Sequence, residues 1–243
     1  MTPAGTVFQN RLLNSLSPSD LVLLRSTLKP VDLPIEAVLE KPNEPIEWVY
    51  FFESGIASVV AGEGTRIEVG LIGREGMSGL SIVMGDDRSV NSTFMQGGGA
   101  GFRIGAREFG RALHKSKTLR LCLLRYAQVF STQVTQTAVA NGRAKLEARL
   151  ARWLLMAHDR FDHEAFPFTH RFLALMLGVR RPGVTVALHF LEGYGLIKAT
   201  RGLISVIDRK GLQAHANGSY GVPEAEYERL IGRPAGKKAR TRS

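Results

Sequence analysis

The stretch Thr169-His-Arg-Phe-Leu-Ala-Leu-Met-Leu-Gly178-Val-Arg180-Arg181-Pro182-Gly-Val-Thr185-Val-Ala-Leu-His189-Phe-Leu-Glu-Gly193 decides how the chain is read. Thr169 suits a helix N-cap, and Phe172, Leu173, Leu175, Met176 and Leu177 cover most of one side of the helix that follows. Gly178 permits the positive φ that ends it. A second helix starts at about Arg180, with Pro182 in its first turn, where a missing backbone N–H costs nothing. It continues through Val184, Ala187, Leu188 and Leu191 at helical spacing. Neither helix is long enough to stand alone, so the pair must pack on other elements. On the face left over, Arg180, Arg181, Thr185 and His189 point outward together. Arginine near the start of such a helix suits a guanine edge or a phosphate, and threonine a phosphate or a thymine methyl. On this stretch alone, an ordinary helical hairpin with a solvated basic edge remains an alternative.

The flanking sequence favours the helix-turn-helix reading. Gly195 to Asp208 reads as two short apolar strands about a turn at Arg201-Gly202, a β-hairpin wing whose Lys198, Thr200 and Arg201 sit where a wing touches phosphates. The formal net charge is +10, and it is unevenly placed. Residues 1–142 hold 14 Lys+Arg against 13 Asp+Glu, whereas residues 143–243 hold 18 against 9. Nearly all the excess therefore lies in the half that carries the helix-turn-helix, as an electrostatic footprint for double-stranded DNA requires. The basic tail Lys237 to Arg242 is too polar to pack and adds to that charge.

The first half reads differently. Ser17-Pro18-Ser19-Asp20 offers an N-cap, a first-turn proline and an acid ahead of Leu21, Leu23, Leu24 and Leu28. Between about Val31 and Ile104, short apolar runs such as Trp48 to Phe52, Ile56 to Val60, Ile67 to Ile72 and Ser92 to Gln96 alternate with glycine-rich turns, the pattern of a small barrel or jelly roll. Gly97-Gly98-Gly99-Ala100-Gly101 lacks a following helix and reads as a turn between strands rather than a phosphate cradle. Gly73-Arg74-Glu75-Gly76 places an Arg and a Glu in an exposed bend, either a small-ligand site or a solvated turn.

Catalytic chemistry finds little support. All six histidines lie outside the β region, so a histidine-metal roll does not fit, and the single Cys122 excludes an intrachain disulfide and multi-cysteine metal sites. No nucleophile elbow or phosphate-binding loop stands out. No apolar run reaches the length of a membrane span and no signal pattern opens the chain, which places it in the cytoplasm with no membrane partner. No cofactor and no metal is assigned.

From about Thr118 a long helix is expected. Leu123, Ala127, Phe130, Val134 and Thr137 recur at three-and-four spacing and form the expected dimerisation stripe, with Leu121, Leu124, Thr135 and Ala138 on a neighbouring one. An intramolecular core helix is the alternative. The expected organisation is a β-roll domain over 1–117, a long dimerisation helix over 118–142, a winged helix-turn-helix over 143–220 and a C-terminal segment over 221–243. In class terms this is an α+β chain.

The order of parts resembles the Crp/Fnr superfamily of bacterial transcription regulators. The resemblance runs from about Leu12 to Ala216. It rests on Arg149 to Leu155, on Leu173 to Thr185, on Gly195-Leu196-Ile197 with Arg201 to Ile204, and on Tyr50 to Gly55 and Gly73 to Gly76. It implies a jelly-roll-like, cyclic-nucleotide-binding-like effector domain, a homodimer, a near-palindromic promoter site and a contact with RNA polymerase. It also places DNA contacts at Arg180, Arg181, Thr185, His189, Thr169 and Arg201, and effector contacts at Gly73, Arg74, Glu75, Arg88 and Ser89. Members that bind cyclic AMP carry an Arg-Ser or Arg-Thr pair whose arginine grips the phosphate. Here Ser89 holds that place and Arg88 falls one residue early, and one residue on a strand changes the face. No effector is named by the sequence. The competing classes are a small-molecule-binding or enzymatic roll with a basic docking domain, and a non-specific architectural DNA binder.

Overall fold

The computed structural model describes residues 7–62, 66–161, 165–200 and 202–232. Two short helices open it, α1 (Arg11–Ser15) and α2 (Pro18–Arg25), each started by a side-chain cap: Asn10 accepts from the Leu13 amide and Ser17 from that of Asp20. The strands β1 (Lys29–Leu33), β2 (Val38–Glu40), β3 (Trp48–Phe52), β4 (Ile56–Ala61) and β5 (Ile67–Ile72) follow. Then come α3 (Leu80–Met84), β6 (Ser92–Gly97), β7 (Gly99–Gly105) and α4 (Ala106–Lys115). They form two antiparallel sheets, in the orders β1-β7-β3 and β2-β6-β4-β5. Between them Leu33, Phe52, Ala57, Ile72 and Met95 make a closed apolar interior. The glycines from Gly97 to Gly101 lie at the β6–β7 turn and the start of β7, as expected of a turn between strands.

The long helix α5 (Lys117–Arg143) spans 27 residues, about 40 Å. Ser116 caps it, and the same hydroxyl joins Thr118 and Ser17 in donating to the buried Asp20 carboxylate. These bonds hold that carboxyl below its ordinary range, although burial, the largest single influence, acts the other way.

The remaining elements are α6 (Leu146–His158), β8 (Ala165–Phe166), α7 (His170–Met176), α8 (Arg181–Gly193), β9 (Ile197–Thr200), β10 (Leu203–Val206), α9 (Arg209–His215) and α10 (Val222–Leu230). The wing is three-stranded, in the order β8-β10-β9, so Ala165 and Phe166 add a strand that two residues were too few to announce. Helix α10 does not stay with the wing. It returns to α5, and its Tyr227, with Ile231 beyond it, completes the core that contains Leu12, Phe51 and Leu123.

Candidate nucleic-acid interface

The reading head forms where the sequence placed it. Thr169 accepts a hydrogen bond from the Phe172 amide, which starts α7. Gly178 turns the chain at φ +61, and a side chain there would press against Ile67 of β5, so the position asks for glycine on two counts. Arg149 donates to the Leu177 carbonyl and satisfies the end of α7. Arg180 is the N-cap residue of α8, with Pro182 in its first turn. Val184, Ala187, Leu188 and Leu191 are buried beneath it.

The opposite face of α8 is open. Arg181, Thr185 and His189 recur every four residues along one stripe, and Arg180, Arg181 and His189 are exposed. Thr185 is half-buried, its hydroxyl bonded to His170 Nδ1 at 2.9 Å and to the Arg181 carbonyl. Val186, 64% exposed beside Pro182 and His189, joins this face. Sequence alone does not single it out, since an isolated valine carries no base-reading signal. Lys198 and Thr200 are exposed on the wing, which Glu192 ties to α8 by accepting from the Ala199 amide at 2.6 Å. Arg201 and the tail from Lys237 to Arg242 lie outside the described residues.

The head is docked on the roll. Ile56 of β4 and Leu71 of β5 belong to the same apolar core as Leu150, Leu154, Phe166 and Met176. Within it Glu68 of β5 is buried and accepts from the indole N–H of Trp153 and from the Ser58 hydroxyl, both at 2.6 Å. Burial pushes its carboxyl up to about 7, against the opposing effect of those two bonds. At the edge of this contact Arg160, 6% exposed, pairs with Glu75 at 2.7 Å and also donates to the Met156 carbonyl. Neither Glu68 nor Arg160 was singled out from sequence. The one available signal was a carboxylate between Ile67 and Val69 in an otherwise apolar strand.

Other expectations change. The bend from Gly73 to Gly76 is not solvated: Arg74 and Glu75 are half-buried, and a side chain at Gly76 would collide with the Tyr126 hydroxyl. Arg88 and Ser89 do not converge with it. Arg88 is exposed, bonded to the Asn43 carbonyl and paired with Asp87. Ser89 is buried, and its side chain bonds the Glu40 carboxylate, which also accepts from the Gly79 amide at 2.6 Å. Burial raises the carboxyl of Glu40 overall.

The stripe expected to pair with a twin helix is only partly free in this chain. Leu123 is fully buried in this chain's own core, and Phe130 packs on the roll interior. Ala127, Val134 and Thr137 are half-buried. Leu123, enclosed by its own chain, has no surface left for a second one. The exposed stripe of α5 is Leu121, Leu124, Gln128, Ser131, Thr135 and Ala138. It alternates steps of three and four, the coiled-coil spacing, and no charged residue occurs from Tyr126 to Gly142.

Among the described residues no group of three His, Cys, Asp or Glu side chains is placed to hold a metal ion. No helix among them is long and apolar enough to cross a membrane.

A capped helix-turn-helix with an open basic face, a β-wing and a long helix leading from a β-roll defines a winged helix-turn-helix architecture. Residues 148–215 match the Crp-like helix-turn-helix domain, and the chain has the fold of the Crp/Fnr transcription regulators. A Crp/Fnr-family regulator from Eubacterium rectale is 18% identical, with a TM-score of 0.68 over 85% of this chain and 98% of that one. FixK2 from Bradyrhizobium japonicum is 15% identical, with a TM-score of 0.67 over 77% and 96%. The c-di-GMP responsive global regulator CLP of Xanthomonas campestris is 15% identical, with a TM-score of 0.62 over 78% and 99%. No curated protein sequence matches the chain.

Proposed function

We propose that the chain is a sequence-specific, cytoplasmic transcription regulator that binds double-stranded DNA as a homodimer on a near-palindromic site. The observation that carries the reading is the set of exposed residues Arg180, Arg181 and His189, with the half-buried Thr185 between them, on the second helix of a Crp-like helix-turn-helix. Arg180 and Arg181 serve guanine edges and phosphates, the Thr185 methyl and Val186 serve thymine methyls, and Lys198 serves a phosphate beside the groove. Thr169 acts through the helix start it caps, and Arg201, by its place in the sequence, as a phosphate contact. Pairing runs along the uncharged stripe of α5, because apolar and small polar residues at coiled-coil spacing on an exposed face find their natural cover in a second copy. Two reading helices then enter successive major grooves about 34 Å apart. By resemblance the partner downstream is RNA polymerase. The reading is of a regulator and not of an enzyme.

Selection of bound sequences from a random DNA pool tests it. A palindromic consensus held at least about 10³-fold tighter than random DNA at physiological salt is expected. Equal binding of all sequences would instead define an architectural binder, and no binding a docking domain. Leu124→Asp should shift the sedimentation coefficient from dimer to monomer. A wild-type monomer at micromolar concentration, with and without DNA, overturns the pairing.

A further inference from the structure

Of the residues on the reading face, only Thr185 is tied down by its own chain. Arg180, Arg181 and His189 are exposed, and their side chains make no hydrogen bond among the described residues. Thr185, at the centre of the stripe, is half-buried, with its hydroxyl oxygen 2.9 Å from His170 Nδ1 and 3.3 Å from the Arg181 carbonyl. His170 is the first residue of α7, next to the Thr169 cap. Its bond to Thr185 is the one side-chain hydrogen bond between α7 and α8 among the described residues. Apart from it, the two helices share the apolar core that holds Leu173, Val184 and Leu188.

The hydrogens of this bridge can be assigned by counting donors. A hydroxyl carries a single hydrogen. In a helix, a threonine oxygen standing over the carbonyl four residues back places that hydrogen between the two oxygens, and the bond from Thr185 to the Arg181 carbonyl has this form. The hydrogen of the 2.9 Å bond therefore comes from the imidazole, and His170 carries it on Nδ1. Nε2 has no hydrogen-bond partner among the described residues and is not enclosed, so the Thr185 bond alone selects the tautomer. The consequence lies at Thr185. Its one hydrogen is committed within the helix and a lone pair is filled by His170, so it has nothing left to donate outward.

We propose that His170 is a positioning residue for base reading, which by donating to the Thr185 hydroxyl withholds that hydroxyl from acceptors on DNA. This role rests on the DNA-binding reading of α8. A threonine without a free donor has nothing for guanine O6 or N7, for adenine N7 or for a phosphate oxygen, whereas its methyl still suits that of thymine. Threonine in a helix divides between two χ1 rotamers, and the bond from His170 holds the one that keeps the oxygen against α7. Without it the hydroxyl is free to turn and donate to guanine, and the distinction between thymine and guanine at that base pair is lost.

Binding of the full chain to a set of sites that differ by one base pair at a time tests the role. Wild type should prefer thymine to guanine at the pair that Thr185 meets. His170→Phe, which keeps a ring but cannot donate, should lower that preference about 3- to 10-fold by strengthening guanine, and leave the other pairs unchanged. His170→Asn, whose amide can donate from the place of Nδ1, should restore it. Thr185→Val, which has no hydroxyl, should keep the thymine preference, and adding His170→Phe to it should change nothing further. Relaxed preference at several pairs, equal weakening on all sequences, or a further change in the double variant overturns the role, because those outcomes mark a displaced helix or a phosphate contact. Imidazole nitrogen resonances of the DNA-free chain at about pH 8.5, above the ordinary histidine range, test the bridge itself. His170 should carry its hydrogen on Nδ1 in wild type and lose that preference in Thr185→Val. A chain with this tautomer that binds no DNA overturns the regulator reading, and the reading role with it, while the bridge stands. A chain that selects a palindrome with the His170 hydrogen on Nε2 overturns the positioning role alone.

Discussion

Four arginines of the C-terminal half divide into two pairs with opposite fates. Arg152 and Arg160 are 5% and 6% exposed. Arg152 donates to the Ser219 carbonyl at 2.8 Å, and Arg160 is paired with Glu75. Arg180 and Arg181 are exposed, and their guanidinium groups have no partner among the described residues. Desolvating a guanidinium costs several kcal/mol, so burial is tolerated only where partners are built in. The first pair joins the reading head to the roll and the C-terminal segment. The second is left with its charge uncommitted, which is the condition for meeting a polyanion.

The comparison is most severely strained by removing a buried member. Arg160→Ala should destabilise the fold by about 3–5 kcal/mol in urea denaturation, because Glu75 is left half-buried without its partner. The double variant with Glu75→Ala should recover part of that loss. If the single change is silent, the contact between head and roll does not hold in solution.

Glu68→Gln probes the same junction through pH. The unfolded chain releases the Glu68 proton near the ordinary 4.5, while the folded chain keeps it to about 7. Stability from this group is therefore full below about pH 4.5 and is lost as pH rises to about 7. Its total is about 3 kcal/mol. Wild-type stability minus that of Glu68→Gln should fall by up to that amount across the window and stay level above it. A pH-independent difference would mean that the Trp153–Glu68 contact is open to water.

The exposed pair is sharpened by Arg181→Ala. It should cost about 1–3 kcal/mol on the preferred site, relax preference at one base pair and leave the melting temperature unchanged. Uniform weakening on all sequences would make Arg181 a phosphate contact. The smallest effect is expected from Thr169→Ala, about 1 kcal/mol of stability, since its hydroxyl serves one amide at the start of α7.

The reading head was legible because each of its features is local. A cap, a turn glycine, a first-turn proline and four apolar residues at helical spacing are separated by a few residues each, and Arg180, Arg181 and His189 remained exposed. The strands of the roll and the existence of α5 were legible for the same reason. The face of α5 was not. Two apolar stripes lie side by side on that helix, and periodicity cannot say which one the chain's own roll will cover. Leu123 and Phe130 went inward, and Leu121 and Leu124 stayed outside.

By itself, then, the sequence determined a winged helix-turn-helix behind a long helix and a β-roll, together with the basic balance of the C-terminal half. Local backbone preferences, side-chain periodicity and charge are sufficient for those. Only the tertiary structure decided that Glu68 meets Trp153, that Glu75 meets Arg160, and that α10 returns to α5. Those contacts join residues 85 positions apart in the two ion-pair and indole contacts, and no spacing rule encodes a partner that far along the chain. They follow from where buried polar groups find their hydrogen bonds once the core has closed.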